Sequence, residues 1–308
     1  MKILLFGGNG KLGWELQRSL APLGELMVPN RTGAAGACGD LARPQALAAT
    51  VRALRPALIV NAAAYTLVDR AETEVEQAYL VNAAAVAAMA EAAADVGSTL
   101  MHYSTDYVFD GEAGAPYAED AMAAPLNAYG RSKLEGEAAI RASGCRHLIL
   151  RTGWVYAARG ESFVRSVLRL GATRYAVEMV ADQVGAPTGA ELIADVSAHA
   201  ARSLVHRREL GGTYHLAAAG SVSRFDLARF VVANARAQGA ALPLLPEAIA
   251  PIATDSYPTP ARRPLDTRLD SRRLESAFDI VLPEWQDGVE RVITEWVESG
   301  VLAREGGR

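Results

Sequence analysis

The apolar run Ile3-Leu4-Leu5-Phe6 stops at Gly7-Gly8-Asn9-Gly10-Lys11-Leu12-Gly13 and passes at once into a helical pattern carried by Leu12, Leu16 and Leu20. A strand, a glycine turn and a helix in immediate succession leave few architectures open. The loop holds both a G-x-x-G-x-x-G and a G-x-G-x-x-G spacing. Glycines so placed permit a tight turn, let the backbone approach a pyrophosphate, and allow the helix to pack closely on the sheet. The helix N-terminus then offers free N–H groups and partial positive charge to the anion. Gly7, Gly10, Lys11, Leu12 and Gly13 are therefore candidate contacts for a dinucleotide, against the plainer alternative of a structural turn.

The rest of the first half repeats this rhythm. Apolar runs at Leu26 to Pro29, Leu58 to Asn61, Leu100 to Ser104 and His147 to Thr152 alternate with amphipathic stretches, the longest being Ala-rich and running from about Val75 to Val96. The alternation predicts an α/β fold, a Rossmann doubly wound parallel sheet with helices on both faces. Near-continuous apolar strands fit burial on both sides. After Trp154 the pattern loosens into a helix near Phe163 to Leu170, a loop at Asp182 to Thr188, a helix from Glu191 and a strand around Tyr214 to Leu216. A helix from Ser223 and a last one from Pro283 to about Val297 follow; between them Tyr257 to Pro264 is too proline-rich for regular helix or central strand. The expected organisation is a nucleotide-binding Rossmann domain over 1–153, with elements from about 191–218 returning to it, and a smaller C-terminal substrate-binding domain over 154–190 and 219–308.

Composition excludes several other classes. The 308 residues are 50% hydrophobic and 21% charged, enough to bury a large core. A net charge of -4, from 31 basic and 35 acidic residues well mixed along the chain, leaves no basic stripe for nucleic acid. No apolar run is read as reaching membrane-spanning length, and the short run after Met1-Lys2 is far from a signal peptide's apolar core, so a cytoplasmic location is expected. Cys38 and Cys145 are too few for a disulfide framework and are read as reduced thiols.

Which dinucleotide would bind is written at the end of the second strand. An NAD-selective site places a carboxylate about 20 residues beyond the glycines, to bond the ribose 2'-hydroxyl. This chain has Asn30-Arg31-Thr32 there. A guanidinium is a fixed-charge fork suited to a 2'-phosphate, so Arg31 with Asn30 points to NADPH, with NADH tolerated. A solvated loop arginine is the alternative. Asp40, followed by Leu41, could accept a bond from the adenine amine, and Gly33 to Gly39 reads as a loop. Ala62, Ala63 and Ala64 leave their strand on side chains small enough for a cofactor to lie against the backbone, although helix-start packing would also use them.

Tyr129-Gly130-Arg131-Ser132-Lys133 places a phenol and an ammonium four residues apart, on one helix face. A free tyrosine, with a pKa near 10, is a poor acid-base catalyst at neutral pH. A nearby cation stabilises the phenolate and brings proton exchange with an alcohol or ketone within reach. The Y-x-x-x-K spacing alone is common, and its weight comes from Tyr103-Ser104-Thr105-Asp106-Tyr107-Val108-Phe109 at the C-terminal end of a predicted central strand, where open parallel sheets place ligands. Thr105 is the hydroxyl expected to hold a substrate oxygen against Tyr129, with Ser104 on the strand's other side.

The glycine loop, the Ser104 to Phe109 string and the Tyr129–Lys133 pair together resemble the extended short-chain dehydrogenase/reductase superfamily. Within it, Asn61 to Thr66, Arg151 to Tyr156, Asp182 to Glu191 and Tyr257 to Pro264 resemble the dTDP-4-dehydrorhamnose reductase family nearly end to end. The resemblance implies hydride transfer from NADPH to C4 of dTDP-4-dehydro-L-rhamnose while Tyr129 protonates O4, giving dTDP-L-rhamnose in the last step of dTDP-rhamnose biosynthesis. It also implies that Thr105 polarises the carbonyl, that Lys133 holds the nicotinamide ribose and tunes Tyr129, that Thr105 and Asp106 contact the sugar, and that Trp154 walls it. Tyr65 and Tyr103 join the implied cofactor contacts. Family members can dimerise around magnesium through glutamates matching Glu15, Glu191 and Glu295, so Mg2+ and a homodimer enter as implied by the resemblance alone; isolated helix glutamates are otherwise solvated charges.

Two signals stay open. Arg262 and Arg263, in a proline-stiffened loop, suit a diphosphate, and equally a solvated linker. The five histidines, among them His102, His147 and His215, show no paired ligand spacing and are read as satisfied or surface groups. The rival functions are a nucleotide-sugar epimerase or dehydratase on the same fold, for which no added Glu or Lys pair stands beside Thr105-Asp106, and a non-catalytic NADP-binding regulatory subunit.

Overall fold

A computed structural model describes residues 1–31 and 37–300; Thr32 and the Gly33 to Gly36 part of the expected loop lie outside them. Five parallel strands and a sixth, later one form the central sheet: β1 (Lys2–Phe6), β2 (Glu25–Met27), β3 (Leu58–Asn61), β4 (Thr99–Thr105), β5 (Arg146–Thr152) and the strand Gly212–His215. Their spatial order is β2, β1, β3, β4, β5, then Gly212–His215, with every pairing parallel. β1 therefore has partners on both sides that come from opposite directions of winding. Between β1 and β3 the winding reverses, which opens a crevice at the C-terminal ends of the strands.

The side-chain alternation along each strand feeds two separate cores. Ile3, Leu5, Leu58, Val60, Met101, Leu148 and Leu150 face helices α1 (Lys11–Leu20) and α7 (Ala190–His206), where Leu16, Leu20, Ile193 and Leu204 complete the packing. Leu4, Phe6, Ile59, Leu100 and Ile149 face the opposite way, against α2 (Pro44–Leu54), α4 (Ala85–Val96) and α5 (Ala128–Ala142). The strands read as uninterrupted apolar runs because both faces are covered. α3 (Val75–Tyr79) joins α4 through a single π-helical turn, Leu80–Ala84, so Val75–Val96 is one 22-residue helix. By length and composition it could cross a membrane, which corrects the expectation that no stretch would. Its apolar face, with Val86, Met89 and Ala93, is spent on the sheet core, and Glu76, Glu91 and Asp95 lie along it.

A third core gathers α6 (Phe163–Thr173), α8 (Arg224–Ala237) and α10 (Trp285–Glu298) around Val167, Leu168, Val231, Val289 and Trp296. α9 (Arg272–Phe278), which the hydropathy pattern did not announce, sends Leu274 and Phe278 back to the sheet core instead. Three local differences from the sequence reading have simple causes. β2 stops at Met27, before Pro29, which has no N–H for a ladder. The supposed loop Asp182 to Thr188 contains two minimal strands: Val184–Gly185 pairs with Val222–Ser223, and Thr188–Gly189 pairs with Val155–Tyr156. Val177–Val180 and Ile249–Ile252 form a further parallel pair, in which Pro251 is accommodated because only two strands take part.

Candidate active site

The crevice is a cavity of about 710 Å³ that runs from the glycine loop, past Ala62 to Tyr65, to the ends of β4 and β5. Its floor at the glycine loop is backbone. Gly7 has φ +81, and a Cβ there would lie 2.6 Å from the Ala63 nitrogen; at Gly13 a Cβ would lie 2.0 Å from the Gly7 carbonyl oxygen. Gly10 N–H donates to that same carbonyl at 2.9 Å, and α1 starts immediately after it with no side-chain cap, which leaves its first N–H groups facing the cavity. Gly7, Gly10, Lys11 and Leu12 line the space, whereas Gly13 supports it from beneath. Lys11 is turned toward the second half of the chain, donating to the Glu161 carbonyl at 2.7 Å. Burial holds its ammonium below the usual lysine range, partly offset by Glu161.

Asn30, Arg31, Asp40 and Leu41 close the far end. The Arg31 side chain is 85% exposed and stands 3.7 Å from an Asp40 oxygen. Asp40 is thus an ion-pair neighbour of Arg31 and also accepts from the Ala42 N–H at 3.2 Å. Tyr65 lines the middle but gives its hydroxyl to Glu74 at 2.6 Å, and Tyr103 gives its own to Ser197 at 2.7 Å on the α7 side of the sheet. What Tyr103 contributes to the crevice is its backbone.

At the β4 end the hydroxyls form an ordered series. Thr105 Oγ1 donates to Asp106 Oδ1 at 3.0 Å and accepts from Tyr107 N–H at 3.1 Å, and the Tyr129 phenol lines the same end of the cavity. Asn127 caps α5 by accepting from Gly130 N–H at 2.8 Å, and Gly130 packs where a Cβ would lie 2.2 Å from the Tyr107 carbonyl. That contact sets the first turn of α5, and with it Tyr129, tightly against the Thr105 segment. Burial holds the Tyr129 phenol well above its ordinary range, with the neighbouring Thr105 hydroxyl opposing. Burial also raises Asp106 to about 6, and its Oδ2 is enclosed without a partner. Gly153 is the residue that makes room for this carboxyl, since a Cβ there would lie 2.1 Å from Oδ2.

The expected cation beside the phenol is arranged differently. Lys133 Nζ donates to the Tyr103 carbonyl at 2.6 Å and stands 3.1 Å from His102 Nε2. Tyr129 consequently shows no lowering by Lys133. His102 is wholly buried, and burial together with Lys133 holds it far below the usual imidazole range, hence neutral. Asn61 Oδ1 accepts from Ala63 N–H at 3.2 Å, and Asn61 Nδ2 stands 3.1 Å from His102 Nδ1. Burial lowers Lys133 to about 8, so at neutral pH the ammonium is still its main form. The sequence reading of His102 as a satisfied histidine holds, but its tie to Lys133 was not legible.

Trp154 lines the same end of the cavity from a left-handed backbone, φ 49. Arg224, which no sequence motif singled out, also lines the cavity, its guanidinium 3.4 Å from the Trp154 ring centroid. A signal was present: it directly follows the helix-capping Ser223, and a cation at a helix N-terminus opposes the helix dipole. Arg263 reaches the Tyr107 ring at 5.9 Å while paired with Asp69 at 2.7 Å. Arg262 points elsewhere: its side chain is 72% exposed, with Glu112 at 4.0 Å, and neither of the two adjacent arginines lines the cavity. Glu15 and Glu191 are each answered by a guanidinium, Arg18 at 3.6 Å and Arg291 at 3.5 Å. Burial, then Glu191 and more weakly Glu295, push the Glu15 carboxyl up. Among the described residues no three His, Cys, Asp or Glu are grouped to hold a metal ion.

Comparison with known proteins places this geometry. The family model described as the RmlD substrate binding domain matches residues 1–298. The chain belongs to the RmlD family. It is 48% identical over 295 residues to dTDP-4-dehydrorhamnose reductase of Escherichia coli, covering 96% of this chain and 98% of that one. It is 47% identical over 293 residues to the protein of the same name from Burkholderia thailandensis, covering 94% and 97%. Among solved structures, dTDP-4-dehydrorhamnose reductase from Bacillus anthracis in complex with NADP superposes with a TM-score of 0.84 at 32% identity, covering 96% of this RmlD-family chain and all of that one.

Proposed function

We propose that the chain is an NADPH-dependent reductase that converts the C4 ketone of dTDP-4-dehydro-L-rhamnose to the alcohol of dTDP-L-rhamnose. The observation that carries this reading is 48% identity across 96% of the chain to a reductase of that name, with a Tyr129–Thr105 pair facing the cavity. The residues fit a dinucleotide: Gly7 and the Ala62 to Ala64 strip form a flat backbone cradle that a Cβ would fill. When bound, the reduced nicotinamide supplies the hydride.

The protein's own part is proton handling and placement. For reduction, the tyrosine must begin as an acid, and a phenol held above its ordinary range by burial stays protonated at neutral pH. The ketone oxygen accepts from the Tyr129 hydroxyl, and Thr105, turning from Asp106, donates to the same oxygen. Tyr129 passes its proton to O4 as negative charge develops there, which yields the alcohol and a tyrosinate. The Lys133 ammonium stands on the same helix face to restore the phenol. Trp154 supplies an apolar wall that excludes water from the sugar. Residues 1–153, with 191–218, serve as the nucleotide-binding part, and 154–190 with 219–308 as the substrate-binding part. Arg31 is the residue assigned to the 2'-phosphate.

The direct test mixes the protein with dTDP-4-dehydro-L-rhamnose and each reduced cofactor and follows cofactor oxidation. Turnover with NADPH, slower with NADH, is the expected result. Absence of oxidation with either cofactor, alongside epimerised or dehydrated sugar, would replace the reductase with its fold relatives.

A further inference from the structure

Arg224 is held in an unusual balance. Its guanidinium is wedged between aromatic faces, 3.4 Å from the Trp154 centroid and 4.8 Å from that of Phe163. Among the described residues no carboxylate stands within ion-pair distance of it, although it lines the cavity beside Asp106. The other guanidiniums withdrawn from water are answered: Arg151 pairs with Glu137 at 2.7 Å, and Arg263 pairs with Asp69 at 2.7 Å. Arg224 is half-buried, and a cation partly removed from water without a counter-charge is costly, since arginine does not escape by losing its proton. Stacking on Trp154 covers only the flat faces of the guanidinium and leaves its edge N–H donors pointing outward, in the geometry that meets phosphate oxygens.

Two arginine charges act on Tyr107, that of Arg224, which shares the cavity wall with it, and that of Arg263, 5.9 Å from its ring centroid. We propose that Arg224, acting with Arg263 across Tyr107, grips the diphosphate of the nucleotide-sugar substrate, and that its stacking on Trp154 fixes the diphosphate relative to the sugar wall. The inference rests on the reductase reading and departs from the sequence-based pairing of Arg262 with Arg263. Arg262 has its charge in solvent, whereas Arg224 has its charge in the crevice. Binding the diphosphate completes the ion pair that the protein lacks, so affinity for the nucleotide depends on phosphate charge more than on the base.

Calorimetric titration of wild type, Arg224→Gln and Arg224→Lys with dTDP, thymidine and NADP+ separates the possibilities. Arg224→Gln is expected to weaken dTDP binding by about tenfold or more while leaving thymidine and NADP+ affinity unchanged. In turnover it raises the KM for the sugar nucleotide more than it lowers kcat. Arg224→Lys recovers part of the dTDP affinity as a point charge. Unchanged dTDP affinity in Arg224→Gln, or equal loss for thymidine and dTDP, overturns the proposal and leaves Arg224 as a prop for Trp154. Loss of NADP+ affinity overturns it too, assigning Arg224 to the cofactor. Wild-type protein that ignores dTDP but binds UDP through Arg224 would sink the dTDP-sugar reading while supporting the diphosphate grip.

Discussion

The two ends of the crevice are built on opposite principles. At the β4 end Thr105, Lys133 and His102 are buried and tied into side-chain contacts, from Ala63 N–H through Asn61 and His102 to Lys133, and from Thr105 to Asp106. At the other end Arg31 stands 85% exposed, with a single loose carboxylate neighbour. The difference separates two kinds of work. Proton transfer needs fixed distances and a low dielectric, so it is placed on strand ends and a capped helix. Choosing between two dinucleotides needs one charge in reach of one phosphate, and a solvated rim suffices.

The largest effect should therefore come from the buried end. Tyr129→Phe removes one oxygen, the phenol that shares the cavity with Thr105, and turnover should fall on the order of 10²–10⁴-fold. NADP+ affinity, measured by titration, should stay within a few-fold. Turnover within tenfold of wild type would mean that another acid protonates the substrate, and the contrast between the two ends would collapse.

A second effect of the buried end appears in stability. Asp106 rises from 3.8 to about 6 on burial, so the fold opposes its charged form. For a carboxyl raised in this way, the native state is penalised as pH climbs from about 4 through 6, and the penalty is constant above that. Asp106→Asn should therefore stabilise the protein at pH 7.5, by on the order of 2–3 kcal/mol, with the gain vanishing below about pH 4. Urea denaturation at the two pH values measures it. A gain that is independent of pH would show that shape, and not the buried charge, limits stability there. Activity should drop in the same variant, since Asp106 is assigned to the sugar.

How far the sequence could be read follows the same division. The sheet, the glycine loop and the Thr105–Tyr129–Lys133 set were legible because each follows from a local pattern: continuous apolar runs, a strand-to-helix turn, a four-residue spacing. The tie between Asn61, His102 and Lys133 was not, because it crosses from β3 to β4 to α5 and depends on which side of each strand a residue faces. Arg224 was missed for a related reason: its meaning lies in Trp154, 70 residues earlier in the chain, and only the chain's return through α8 brings them together. Arg262 and Arg263 look alike in sequence, while the backbone turns Arg263 toward Asp69 and the Tyr107 ring and leaves Arg262 in solvent.

The smallest effect belongs to the rim, and it tests whether the rim is a selector at all. Arg31 is opposed by Asp40 at 3.7 Å, so a 2'-phosphate must compete with a carboxylate already present, in high dielectric. Exposed charge contacts of this kind contribute on the order of 1 kcal/mol or less and weaken with salt. Arg31→Ala should then lower kcat/KM for NADPH by only about three- to tenfold at low ionic strength, lower it less at high ionic strength, and leave NADH unaffected. Measuring both cofactors at two salt concentrations separates a selective charge from a general support. Equal losses for NADH and NADPH would make Arg31 a part of the loop's architecture. A much larger, salt-insensitive loss for NADPH alone would mean that the rim closes over the cofactor and becomes as dry as the floor beneath Tyr129.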